Sequence, residues 1–156
     1  MTRLRHPNIV EVYDFGITNT GASYFTMEYV DGRSLTELPA DAPFDTLDIV
    51  FSAILETLAF IHGRGVLHRD LKPQNLVWAL DARGLRVKVT DFGLAESVHP
   101  EGDVQRLGTV LSTPPEVACG MKADQRSDLY SLGVVLYEVL SGRPPFVGDD
   151  PVEVLR

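Results

Sequence analysis

The chain has 156 residues, of which 44% are hydrophobic and 23% charged, with a formal net charge of −8. That balance fits a soluble chain with one substantial core, and the acidic surplus argues against nucleic acid or an anionic membrane surface as partner. A single cysteine, Cys119, excludes an internal disulfide and a multi-cysteine metal site.

No apolar run follows the first positive charges, Arg3 and Arg5, so a secretory leader is not expected here. Residues 129–140 form the longest apolar stretch and are too few to cross a bilayer, so no membrane segment is predicted and a reducing, cytoplasmic setting is expected. In chain order, residues 9–15 and 22–30 are β-rich and flank Thr18-Asn19-Thr20-Gly21, which predicts an antiparallel hairpin. A polar break follows at Asp31-Gly32. Leu47, Val50, Ile54, Leu58 and Ile61 recur at steps of three and four, predicting an amphipathic helix from Thr46 with Asp45 as N-cap, ended by Gly63 and Gly65.

Val66-Leu67 and Leu76-Val77-Trp78 read as short strands around a polar loop. Leu85, Val87 and Val89 alternate with Arg86 and Lys88 as a further strand, reached through a turn at 81–84. Ser127 or Asp128 is predicted to cap a helix running to Leu140, apolar on nearly every side and hence expected to be buried all round. Gly142 and Pro144-Pro145 stop it, and another helical turn is predicted from near Pro151. The fold class is α+β, a small strand region leading into a mainly helical body.

The polar loop carries the chemistry. His68-Arg69-Asp70-Leu71-Lys72-Pro73-Gln74-Asn75 lies between short strands, and Asp91-Phe92-Gly93 follows the next hairpin. Phosphoryl transfer needs a carboxylate to take the proton of the attacking hydroxyl, oxygen ligands for Mg²⁺ and a cation near the moving phosphoryl group. Asp70, Asn75, Asp91 and Lys72 are those residue types. Three-residue matches are usually accidental, but this many specified residues in one eight-residue window arise by chance at roughly one in a billion per register.

These motifs, over essentially the whole chain, resemble the eukaryotic-type protein kinases, and their flavour is that of bacterial members. The resemblance implies ATP and Mg²⁺ as cofactors and a protein substrate. It makes Asp70 the catalytic base, Asn75 and Asp91 the metal ligands, and Lys72 the residue that steadies the γ-phosphate. Met27-Glu28-Tyr29-Val30 resembles the hinge, so the Glu28 carbonyl and the Val30 N–H are expected to meet adenine, with Val77 beneath the ring. His68 and Phe92 are expected to stack in a packed column that Val12 completes, and Gly93 closes the metal-binding motif.

Gly108-Thr109 and Pro114-Pro115-Glu116 resemble the end of an activation segment, with Pro114 where the family has Ala and Ser112 where it commonly has Tyr. Thr109 is expected near Asp70 and Lys72, and Asp128 resembles the helix-start aspartate that braces the catalytic loop. Lys72 and Gly108-Thr109 favour serine and threonine over tyrosine as acceptors. Arg69 precedes Asp70, where an arginine often awaits a phosphorylated loop. No hydroxyl-bearing residue lies between Ser97 and Thr109, so Glu101 and Asp103 either form a plain solvated acidic loop or one of them supplies a standing negative charge to Arg69.

No Gly-rich loop or paired lysine precedes His6-Pro7-Asn8-Ile9-Val10. The expectation is one incomplete kinase domain over 1–156, with 1–30 a remnant of the small lobe and hinge and 31–156 a partial large lobe, within a longer protein bearing further domains. Such a chain alone is expected to be a poor catalyst. The alternative is a pseudokinase-like binding or scaffold protein. A small-molecule phosphotransferase shares the Asp and Asn logic but not Lys72, Gly108-Thr109 and Pro115-Glu116.

Overall fold

The computed structural model describes residues 4–39, 41–82, 84–92 and 112–147. Strands β1 (Val12–Ile17) and β2 (Ser23–Met27) pair antiparallel, with an irregularity in register between Val12 and Asp14. This is the predicted hairpin, with its first strand shifted to begin at Val12 and run on to Ile17 and its second shortened to Ser23–Met27. Ile9, expected inside the first strand, instead forms an isolated parallel bridge with Val89 and ties the start of the hairpin to the body.

A second sheet has the order β3 (Arg33–Ser34), β4 (Leu76–Asp81), β5 (Gly84–Val89), all antiparallel. Val66 and Leu67, predicted as a strand, are irregular. The brief β3 had no periodic signal, being two residues long. It is recruited by contacts across the chain: Trp78 donates its indole N–H to the Ser34 carbonyl at 3.2 Å, and the Ser34 hydroxyl donates to the Pro73 carbonyl at 3.1 Å.

Helix α1 (Phe44–His62) buries the predicted stripe, with Val50, Ile54, Leu58 and Ile61 each no more than 1% exposed. It packs on β5 and on the third helix, joining Leu35, Leu71, Leu76, Val87, Val89, Leu132 and Val135 in one core. Each such side chain contributes about 1.5–3 kcal/mol on leaving water. Asp45 is not the N-cap: Pro43 precedes the first helical residue with no side-chain cap, and Asp45 sits in the first turn, where its charge suits the helix dipole.

Helix α2 (Pro115–Ala118) is a single turn, and α3 (Gln125–Ser141) starts earlier than predicted. Asp124 is its cap, accepting from the Arg126 N–H at 2.7 Å while the Ser127 hydroxyl accepts the Asp124 N–H at 3.0 Å. Gly142 ends it in the left-handed conformation at φ 72°. The expected burial all round is not found among the described residues, because Leu129, Leu136 and Leu140 fall on a face 48%, 37% and 57% exposed. Ser127, Asp128, Ser131, Leu132 and Val135 form the inward face instead. Among the described residues no helix is long and apolar enough to cross a membrane. The turn predicted from Pro151, and Gly93, Ser97, Glu101, Asp103, Gly108 and Thr109, lie outside the described residues.

Candidate active site

The loop between α1 and β4 is held from beneath by Asp128. Its Oδ2 accepts the His68 N–H and its Oδ1 the Arg69 N–H, both at 2.9 Å, and Oδ2 also meets His62 Nε2 at 2.7 Å. Asp128 is 1% exposed. A carboxylate buried so deeply is tolerable only with partners of this kind. Asp128 thus bonds two successive amides of this loop, and it stands inside α3 rather than at its cap.

His68 is fully buried. Its Nδ1 accepts the Asp70 N–H at 3.3 Å, which leaves Nε2 to donate to the Thr90 carbonyl at 3.0 Å. One neutral tautomer satisfies both. Burial pushes the His68 pKa down in spite of the opposing pull of Asp128, the Thr90 carbonyl, Asp70 and Asp91. The His68 and Phe92 rings meet with centroids 4.7 Å apart at 51°, as expected of the column. Val12, assigned to the same column, is 46% exposed.

Around the Asp70 carboxylate, Lys72 Nζ lies 2.6 Å from Oδ2. Asn75 Nδ2 donates to the Asp70 carbonyl at 2.8 Å and to Oδ2 at 3.1 Å. The side chains of Asp70 and Lys72 remain 27% and 23% exposed, open enough for a substrate to reach. The Thr90 N–H bonds the Asn75 carbonyl at 2.9 Å, which fastens the end of β5, and so Asp91, to this loop. Arg69 and Asp91 adopt φ of 69° and 61°, left-handed values that non-glycine residues rarely take. No residue type in the sequence signals these two turns.

The donor set suits a hard cation. With Nδ2 of Asn75 committed to Asp70, Oδ1 is the atom Asn75 could offer a cation, and Asp91 has carboxylate oxygens to offer. Among the described residues no group of three or more His, Cys, Asp or Glu side chains could cage an ion. Few protein oxygens fit Mg²⁺, which completes its shell with water and phosphate.

Just after β2, in the segment expected to be the hinge, the Glu28 N–H bonds the Glu11 carbonyl at 2.8 Å. The Glu28 side chain accepts from Lys88 Nζ at 2.8 Å and from the Glu11 N–H at 3.3 Å. Burial acts to raise the Glu28 pKa, but these hydrogen bonds and the Lys88 charge outweigh it and lower it. Val30 and Val77 are half-buried. Gly32 brings the chain after the hinge onto β4, since a Cβ there would stand 2.7 Å from both the Trp78 carbonyl oxygen and Val77 Cγ1.

On the other side of Asp70, Ser127 donates to the Glu116 carboxylate and Ser131 donates to the Ser112 carbonyl at 3.0 Å. Burial, and the nearby Glu116 charge, push the Tyr130 phenol up. Sequence reasoning gave no site role to His62, Lys88, Ser127 or Ser131, and read Ser127 only as a possible cap of α3. The spacing of Ser127 and Ser131 around Asp128 on one helix face was the available signal.

The family model described as "Protein kinase domain" matches residues 1–155. The chain belongs to the protein kinase domain family. It is 44% identical over 163 residues to the serine/threonine-protein kinase PknB of Mycobacterium leprae, covering 97% of this chain and 25% of that protein. It is 42% identical to the serine/threonine-protein kinase pkn2 of Myxococcus xanthus, covering 97% of this chain and 19% of the relative. Among solved structures it resembles a double mutant of the Mycobacterium tuberculosis PknI kinase domain, at TM-score 0.73 and 31% identity over 93% of this chain and 55% of that one. These relatives are bacterial proteins named serine/threonine-protein kinases, and the chain spans about a quarter or less of their length.

Proposed function

We propose that this chain supplies the hinge, catalytic loop and metal-binding motif of a kinase that transfers the ATP γ-phosphate to serine or threonine hydroxyls of a protein. One observation carries the reading: a single loop holds Asp70 against Lys72 and Asn75 while Thr90 ties Asp91 to the same loop. Asp70 takes the proton of the acceptor hydroxyl as its oxygen bonds the γ-phosphorus and the bond to the ADP oxygen breaks. Lys72 neutralises charge on the moving group, and its contact with Asp70 keeps that carboxylate aimed.

Asn75 Oδ1 and Asp91 would hold Mg²⁺, which when bound offsets the charge of the nucleotide phosphates. The Glu28 carbonyl and Val30 N–H would receive adenine, with Val77 beneath it. Gly93 and Thr109 would complete the metal motif and the acceptor side, and Glu116 would anchor the segment after Thr109. We take residues 1–30 as the close of the small lobe and hinge and 31–156 as large lobe, in a longer polypeptide whose ATP-dependent work is cytoplasmic. Its similarity to proteins named serine/threonine-protein kinases supports the acceptor class.

The test is transfer from radiolabelled ATP to a protein acceptor by the intact polypeptide that contains this chain. Label is expected on serine or threonine, with turnover falling about 10²–10⁴-fold in Asp70→Asn, the usual contribution of a general base. Turnover unchanged by that substitution would overturn the assignment. ATP binding without transfer would favour the pseudokinase-like alternative. Residues 1–156 alone, lacking a Gly-rich loop and its lysine, are expected to run about 10⁴-fold slower than a complete domain.

A further inference from the structure

A cavity of about 170 Å³ is lined by Asp70 and Leu71 of the loop, by Ser112 and Thr113, and by Asp128 and Ser131 of α3. Its two walls come from distant stretches of the chain, and one face of α3 holds both. Asp128 fixes the first wall through the His68 and Arg69 amides. Ser131 reaches the second through the Ser112 carbonyl, and Ser127, one turn earlier, reaches Glu116 just beyond it.

The three residues are 3%, 1% and 6% exposed at positions 127, 128 and 131. A serine within a helix commonly bonds back to the carbonyl four residues earlier, as Ser141 does with Tyr137 at 2.7 Å. Ser131 instead donates to a different segment. A hydroxyl buried this far is costly without a partner, so the bond to Ser112 constrains where that backbone lies.

We propose that Ser131 is a positioning residue for the acceptor side: its bond to the Ser112 carbonyl sets the spacing between that backbone and Asp70, and so governs acceptor binding without acting on ATP. The inference rests on the kinase reading above. Ser127, through Glu116, is a second tether of the same wall.

Steady-state kinetics on the intact polypeptide test it. Ser131→Ala is expected to raise the KM for an acceptor peptide roughly fivefold, the factor for one net hydrogen bond, with the ATP KM unchanged. Ser131→Thr, which keeps the hydroxyl, is expected to restore the acceptor KM, and Ser141→Ala, at the far end of the helix, to leave both constants alone. Hydrogen exchange at the Thr113 and Glu116 amides is expected to quicken in Ser131→Ala while the His68 and Arg69 amides keep their rates. Ser131→Cys, a weaker donor of similar size, gives an intermediate acceptor KM and serves if the alanine variant is unstable. An acceptor KM within about twofold of wild type, or equal rises in both KM values, would overturn the proposal. If the wild-type polypeptide transfers no phosphate, the kinase reading fails separately. The exchange rates then decide the tether alone, faster exchange upholding it and unchanged exchange refuting it.

Discussion

The catalytic loop and the β1–β2 hairpin are stabilised in opposite ways. Around the loop, polar groups are buried and bonded: His68 is fully buried, Asn75 is 4% exposed and Asp128 1%, and no buried side-chain nitrogen or oxygen among the described residues lacks a partner. Along the hairpin, Val12, Tyr13, Phe15, Ile17, Tyr24 and Met27 are all at least 43% exposed. Two paired strands without a packed face are marginal in water. The geometry of the loop is therefore fixed by bonds to α3 and the end of β5, whereas the hairpin derives little stability from its own side chains.

Substitutions on the two regions should separate them. Asp128→Ala strips partners from two backbone amides and from His62, and is expected to cost about 3–5 kcal/mol in chemical denaturation. A loss comparable to an ordinary surface change would break the contrast. Asn75→Ala removes both bonds to Asp70 and is expected to cost about 1–3 kcal/mol by the same measurement. In the intact polypeptide it should also lower turnover by roughly a hundredfold, since a preorganised partner of the reacting group is lost.

A pH titration sharpens the picture further. Burial lowers the pKa of His68 below its ordinary 6.5, so below that pH the unfolded chain binds a proton that the native chain resists. The His68 contribution is thus fully present above pH 6.5 and declines as the pH falls below it. Denaturation midpoints are expected to fall on acidification through that window, less steeply in His68→Gln. The smallest effect belongs to the hairpin, where Val12→Thr or Phe15→Ser should change stability by less than about 0.5 kcal/mol.

The loop cluster was legible because its residues lie within a few positions of one another, and Asp70, Lys72 and Asn75 do meet. The stripe of α1 was legible for the same local reason, its core residues recurring every three or four positions. Bonds that join distant stretches were harder to read. His62 and Lys88 look like ordinary surface residues until Asp128 and Glu28 are seen beside them, and nothing local announces the left-handed turns at Arg69 and Asp91. Helix starts moved because caps compete: Pro43 begins α1 ahead of Asp45, and Asp124 caps α3, which frees Asp128 for the catalytic loop. The apolar content of α3 misled for a different reason, since composition does not say which face meets a neighbour.

Native-state hydrogen exchange tests the central contrast most directly. The His68 and Arg69 amides, bonded to a buried carboxylate, are predicted to exchange only at or near the rate of global unfolding, while the β1–β2 amides exchange through local opening at least about a hundredfold faster. Equal protection in the two regions, or faster exchange at His68 and Arg69 than in the hairpin, would contradict the view that Asp128 and its partners fix the catalytic loop.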